Sequence, residues 1–299
     1  MYCVVGSGFG FYGYIPALLE CLNQEVILPI EYQKFFFDRK DLAKYHSKIN
    51  WADNLDIAIS QASGLILATT PANQFDLLNK YIQKDNLKRL VLEKPLACSP
   101  DQAGALIDLL DKSNKKYSIS YSIAALDWFI ESEWPIDNSD DLYINWQFLA
   151  HHFKYDLFNW KRSHVQGGGV LRFFGIHILA MIVFKGYTTV ISSKTYGDVN
   201  EPALWTARFS GRDLPECNVV VNSRSDYKTF QIQSSKVGAI VALDDPFERL
   251  ESIDSNDKRI SVLAKIIDQS EFSNISAREF YKKVNKLWLD VELINAVLI

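Results

Sequence analysis

Lys94, between Glu93 and Pro95, is the residue whose type and setting most readily do chemistry. It follows the apolar run Leu90-Val91-Leu92, which places it at the carboxyl end of an expected strand. An ammonium there can hydrogen-bond a substrate hydroxyl and hold charge on its oxygen, or shuttle its proton if burial depresses the pKa. Position alone fits a surface lysine reaching for water equally well. The second chemical feature is Gly6-Ser7-Gly8-Phe9-Gly10-Phe11-Tyr12-Gly13, directly after the apolar run 2–5 and before an expected helix at 14–21. Strand, glycine turn and helix make a phosphate-binding corner. Gly6 allows the tight turn, and Gly8, lacking a Cβ, lets a pyrophosphate approach the backbone. The helix start adds unpaired N–H groups and the positive end of its dipole. Read from Gly8, the G-x-G-x-x-G pattern is complete with Gly10 and Gly13; read from Gly6, its third position is Phe11. The Gly6 register is preferred because the turn should follow the strand at once.

The elements that must position these groups alternate strand and helix. Residues 25–30 read as a second strand, and Glu31 then lies 18 residues past Gly13, the distance expected of an acid that binds an adenosine ribose. Such an acid favours NAD, because it repels a 2′-phosphate. Pro29 is a flaw in that strand, since it cannot donate to a ladder. Residues 35–39 offer a rival strand end, where Arg39 would accommodate NADP. Helices are expected at 41–47 and 53–61. The continuous apolar run 64–69 reads as a doubly covered parallel strand leading into Thr69, Thr70, Pro71 and Gln74. A helix at 75–83 and strands at 90–92 and 117–121 complete the half. The pattern predicts a right-handed, mostly parallel sheet, with Gly6, Gly8, Thr69, Thr70, Pro71, Glu93 and Lys94 at carboxyl strand ends.

From residue 142 the pattern changes. Strands are expected at 142–148, 188–195, 203–209, 217–222, 229–233 and 237–243, with helices at 170–184, 259–268 and 277–297. The fold class is therefore α/β, with a dinucleotide-binding Rossmann domain at 1–122. An α+β domain with a large, mostly antiparallel sheet follows at 123–299. The length of 299 residues suits two domains, and 48% hydrophobic residues suffice for both cores. A net charge of −4 without a basic block speaks against nucleic acid as a partner. No apolar segment is expected to span a membrane, and a strand beginning at residue 2 leaves no place for a signal peptide. Cys3, Cys21, Cys98 and Cys217 are scattered, so no metal site is expected and a cytoplasmic location with reduced thiols is the simplest reading. His151 and His152, adjacent in an expected strand, would point to opposite faces and are read as structural.

Gly6-Ser7-Gly8, Tyr14-Ile15-Pro16-Ala17-Leu18, Ala68-Thr69-Thr70-Pro71 and Leu92-Glu93-Lys94-Pro95-Leu96-Ala97 together resemble the Gfo/Idh/MocA family, the glucose–fructose oxidoreductase and inositol dehydrogenase relatives. The resemblance covers the first half and resumes at residue 167. It implies NAD or NADP, with a lean to NAD, held by Gly6, Ser7, Gly8, Phe9, Gly10, Glu31, Thr69, Thr70, Pro71, Gln74, Glu93 and Lys94. It implies that Lys94 lies between nicotinamide and substrate. His177, the one imidazole of the apolar helix 170–184, fits the family's histidine. The aspartate that the family carries four residues earlier is Phe173 here, and a later acid is Ala180. An arginine common after residue 121 is replaced by Ile123-Ala124-Ala125. Three outcomes are open: His177 and Lys94 suffice with a different substrate, Arg172 or the segment Trp160-Lys161-Arg162 supplies the missing polar group, or cofactor binds without turnover; a flat aromatic with two cations suits a ring bearing phosphate or carboxylate. Tyr121, Trp160, Lys161, Arg162, Arg172, Phe173 and His177 are the expected substrate contacts.

The resulting expectation is an NAD(P)-dependent oxidoreductase of a sugar, cyclitol or nucleotide-sugar. Its substrate would lie between the domains, and it would be a homodimer or homotetramer through the second sheet. Phe173 and the missing arginine favour an alternative, a cofactor-binding sensor or assembly subunit without turnover. An imine or tetrapyrrole reductase is a third reading, suggested by the apolar residues around His177.

Overall fold

The structure is a computed structural model that describes residues 1–252, 257–269 and 275–297. Two compact units form. One takes Met1–Leu96, Leu106–Ser122 and Leu250–Arg278, and the other takes Ala97–Ala105, Ile123–Arg249 and Glu279–Ile299.

The first unit is built on six parallel strands: β1 (Tyr2–Val5), β2 (Val26–Pro29), β3 (Ile49–Ala52), β4 (Gly64–Leu67), β5 (Arg89–Leu92) and β6 (Lys116–Ile119). Their order is β3-β2-β1-β4-β5-β6, the Rossmann order. Every residue of β1, β2 and β4 is buried, as a sheet covered on both faces requires. The strand order reverses between β1 and β4, which pair from Tyr2↔Gly64 to Val5↔Leu67. Pro29 is tolerated because β1 pairs with β2 only at Val26 and Ile27. The missing N–H falls beyond that ladder.

One expectation fails in this unit, and one strand goes beyond it. The rival strand at 35–39 is the helix Gln33–Phe37, which turns Phe36 inward against Phe11 and Trp51. β3 was not anticipated. The late helix Ile260–Gln269 also belongs here: Ile260, Val262, Leu263, Ile266 and Ile267 are buried. Ser118 Oγ donates to the Ile266 carbonyl at 2.9 Å.

The second unit carries β7 (Asp141–Leu149), β8 (Tyr187–Gly197), β9 (Pro202–Gly211), β10 (Glu216–Asn222), β11 (Arg224–Ser234) and β12 (Gly238–Leu243). They form one sheet in the order β12-β11-β7-β10-β9-β8. Every pairing is antiparallel except β7 with β10. β7 alternates, with Leu142, Ile144 and Trp146 buried and Asp141 and Tyr143 exposed, the mark of a sheet covered on one face.

The helical run behind the sheet corrects the expectation about membrane-length segments. His164–Phe184 is long and apolar enough to cross a membrane, but 83% of its most apolar window is buried inside the protein, as in a core helix. The glycines, Arg172 and His177 interrupt the run and mask its length in the sequence. His151 and His152 open a short helix, His151–Lys154, rather than lying in a strand. Only His152 is buried.

Candidate functional site

The glycine turn is read from its backbone. Gly6 follows β1 directly with φ +124°, and a Cβ there would lie 2.1 Å from the Ala68 carbonyl oxygen, so only glycine passes beneath the end of β4. Gly8 is exposed, and a Cβ on it would meet nothing within 4 Å. Gly10 is buried, its missing Cβ 3.2 Å from Val4. The turn therefore takes the Gly6 register: Gly6 bends, Gly8 and Ser7 face outward, and Gly10 packs. The Phe9 ring turns inward, 5.4 Å from the rings of both Tyr12 and Tyr14, with the Arg259 guanidinium 4.3 Å from its centroid. Residues 9–21 then wind as helix, partly in π form at Gly10–Tyr14 and Ala17–Cys21.

An exposed glycine face at a helix start, on the β1/β4 reversal, fits a dinucleotide pyrophosphate. Thr69 and Thr70 are half-buried just past β4. Thr70 caps the helix Pro71–Tyr81, accepting from the Asn73 N–H, and Pro71 occupies its first turn. Glu31 is exposed on a short 3-10 turn two residues past β2.

Lys94 stands two residues past β5, in a turn held by Gln74. Gln74 is 0% exposed. Its amide donates to the carbonyls of Glu93 at 2.8 Å and Leu96 at 3.0 Å, and its oxygen accepts the Glu93 N–H at 2.8 Å. The expected cofactor contact at Gln74 is thus corrected to a positioning role, because the side chain has no surface to offer a ligand.

Glu93 is also tied inward. Tyr14 donates its hydroxyl to Glu93 Oε1 at 2.5 Å. Burial pushes the Glu93 carboxyl above its ordinary pKa, against the opposing pull of Lys94, Tyr14 and Arg259. Burial and the Glu93 charge push the Tyr14 phenol well up. Tyr14 and Arg259 were missed in the sequence. Tyr14 opens the Tyr14-Ile15-Pro16-Ala17-Leu18 motif but reads there only as helix, and Arg259 comes from 166 residues beyond Glu93.

In the second unit, Gly169, with φ +75°, opens a π-helical stretch, Val170–Gly175, which carries Arg172 and Phe173. The regular helix Ile176–Phe184 then carries His177, 5% exposed among apolar neighbours. Neither expected arginine is available to a substrate. Arg172 donates from Nε and Nη2 to the two Glu292 carboxylate oxygens at 2.7 and 2.5 Å, and from Nη1 to the Cys98 and His164 carbonyls. Arg162 bridges Glu201 at 2.8 Å and Asp156 at 2.9 Å. Both are corrected from substrate contacts to internal clamps: Arg172 gives its fork bidentately to Glu292, and Arg162 divides its donors between Glu201 and Asp156.

Trp160 stands edge-on to Phe173 at 5.3 Å, and the Lys161 ammonium lies 5.4 Å from the same ring. Tyr121 is buried just past β6. Among the described residues no three His, Cys, Asp or Glu side chains converge as a metal site.

No protein-family profile matches the chain, and no curated protein does. Solved structures do. A super-repressor mutant of Gal80p from Saccharomyces cerevisiae aligns with a TM-score of 0.77 at 14% identity, over 100% of this chain and 97% of that one. A myo-inositol dehydrogenase from Corynebacterium glutamicum aligns with a TM-score of 0.70 at 12% identity, over 99% and 96%. The WlbA dehydrogenase from Bordetella pertussis, solved with NADH and UDP-GlcNAcA, gives 0.71 at 12% identity, over 97% and 96%. The chain thus has the Gfo/Idh/MocA fold, the architecture its short motifs resemble.

Proposed function

We propose that the protein is a nicotinamide-dependent oxidoreductase acting on a hydroxyl-bearing carbon of a sugar, cyclitol or nucleotide-sugar. One observation carries the reading. The Gly6–Gly8 turn, the Thr69-Thr70-Pro71 step and the Glu93-Lys94 turn sit at the carboxyl ends of β1, β4 and β5, three neighbouring strands at the reversal of one sheet. Bound there, a nicotinamide dinucleotide supplies or accepts a hydride. Gly6, Ser7, Gly8 and the helix start would hold its pyrophosphate. Glu31 would take the adenosine ribose and so dispose the site to NAD. Lys94, fixed by Gln74, would hydrogen-bond the substrate hydroxyl and move its proton, with His177 as the second proton-handling group. The exposed face of the second sheet would pair with another copy of the chain in a dimer or tetramer.

The test is direct. Purified protein is expected to shift NADH or NADPH fluorescence. Lys94→Ala is expected to cut turnover roughly a hundredfold or more, measured across aldoses, inositols and nucleotide-sugars, while cofactor affinity stays near wild type. Failure to bind either nicotinamide would end this reading.

A second reading is a cofactor-binding sensor without turnover. It is favoured by the hydrocarbon ring of Phe173 four residues before His177, together with the engagement of Arg162 and Arg172 elsewhere. The Gal80p structure shows that a protein described by repression has this fold. Cofactor binding with no turnover on the whole panel would favour it.

A further inference from the structure

The surroundings of Phe173 bear on which substrate the proposed enzyme would take. Phe173 is one member of a continuous aromatic wall within the second unit. Its ring lies 4.7 Å from Phe174, in edge-to-face geometry. Phe174 lies 4.7 Å from Phe148 of β7, and Trp160 stands at right angles to Phe173. Phe148, Trp160, Phe173 and Phe174 are all half-buried, so each keeps some exposed surface. His152 stacks on Phe174 at an interplanar angle of 27°. Burial, with Lys161 and Arg162 nearby, pushes its pKa down to about 4, so it adds a neutral ring at physiological pH.

The charge around this wall is already spent on the protein itself. A carboxylate is held best by a guanidinium fork or by several converging N–H donors. Arg172 gives its fork to Glu292, and Arg162 is shared between Glu201 and Asp156. Lys161 brings a single ammonium, set against the Phe173 ring as a cation–π contact. A point charge on a flexible stem does not reproduce a fork. A carboxylate laid on hydrocarbon without hydrogen bonds is costly. The apolar C–H face of a neutral ring, by contrast, fits a cluster of aromatic hydrocarbon surfaces set edge-to-face.

We infer that Phe173 is a specificity-determining residue: the wall it belongs to selects a neutral ring, presented by its C–H face, and discriminates against the corresponding uronic acid. The inference rests on the proposed function, in that the helix bearing His177 is taken as substrate-facing. It reverses the expectation that the Trp160-Lys161-Arg162 segment binds a ring bearing a carboxylate.

Two matched pairs test it by calorimetry on the full chain, with and without NADH. One is p-nitrophenyl β-D-glucopyranoside against its glucuronide. The other is UDP-N-acetylglucosamine against UDP-GlcNAcA, the ligand of the WlbA structure. In whichever pair binds, the member with the neutral sugar ring (below, the neutral member) is expected to bind about tenfold more tightly, the scale on which an apolar pocket discriminates. Phe173→Arg, which supplies the missing fork, is expected to remove the preference, and Phe173→Leu, which stays apolar without the ring, to lessen it by weakening the neutral member. Trp160→Leu serves as a second probe of the wall if Phe173→Arg does not fold, and is expected to weaken the neutral member more than the acid. An acid that binds as tightly as its neutral partner in either pair overturns the inference. So does the absence of binding by both neutral probes, a preference that survives in folded Phe173→Arg, or, where Trp160→Leu stands in, an equal loss for neutral and acid members. Absence of NADH binding in the same samples instead strikes the oxidoreductase reading, and the comparison of neutral with acid is still read without cofactor.

Discussion

Ionising Glu93 means placing a carboxylate against Tyr14 in a buried setting where desolvation outweighs its hydrogen bond and its cationic neighbours. The sign of the pH effect follows. A carboxyl with a raised folded-state pKa holds its proton longer folded than unfolded. Its contribution therefore favours the folded state below the ordinary value of 4.5 and declines as pH rises through the raised value. Glu93→Gln keeps an acceptor for Tyr14 and removes the charge. Urea midpoints measured between pH 4 and 8 are expected to fall less with rising pH in that variant than in the wild type. An unchanged slope would remove Glu93 as its source. At this scale the sequence was legible for local placement: Gly6 directly after β1 and Lys94 two residues past β5. It was illegible where a side chain's partner is remote. Nothing near Arg162 or Arg172 signals that Glu201 and Glu292, 39 and 120 residues away, occupy their guanidinium groups.

Among elements, the turn after β5 depends on one amide from the helix Pro71–Tyr81. Gln74→Ala would leave the Glu93 and Leu96 carbonyls without that partner, while the Glu93 N–H keeps the Leu67 carbonyl at 3.1 Å. Buried groups left unsatisfied cost about 1–3 kcal/mol each, so a stability loss on the order of 3 kcal/mol is expected in urea titration. Turnover that depends on Lys94 is expected to fall further than NADH affinity. The strands of both sheets were largely readable from apolar runs and alternation. β3 was not, because an edge strand buries only Ile49 and Ala52 and shows neither pattern. Phe35-Phe36-Phe37 has the composition of a strand, yet tertiary packing of one ring against Phe11 settles it as helix. The helix Pro100–Lys112 went unread as well.

Across the whole molecule, the Arg172–Glu292 pair binds the glycine-led helical run to the terminal helix Ile275–Val297, and Trp288 adds a third donor to the same carboxylate. Arg172→Ala would strand that half-buried carboxylate. Breaking one side of such a pair costs about 3–5 kcal/mol, and a large drop in the urea midpoint is expected. Arg172→Met combined with Glu292→Leu is expected to cost less than the single change. The proposed pairing of copies through the second sheet is read by light scattering. Tyr143 and Leu149 of β7 are each 43% exposed on it, and Tyr143→Glu is expected to shift an oligomer towards monomer. A wild type that is monomeric at all concentrations would remove the pairing.

The first unit closes over its glycine turn with a helix that the chain reaches only at Ile260, after the strands of the second unit have all been made. Leu263 fills the space beside Gly13, and Arg259 lies on Phe9. During synthesis on the ribosome, the amino-terminal half therefore cannot finish folding as it emerges, although such halves generally mature first. It must wait, incompletely covered, until residue 269 is out. A nascent chain arrested before that point would expose an apolar patch to chaperones, and a gene fragment ending at residue 122 would express the nucleotide fold without its lining.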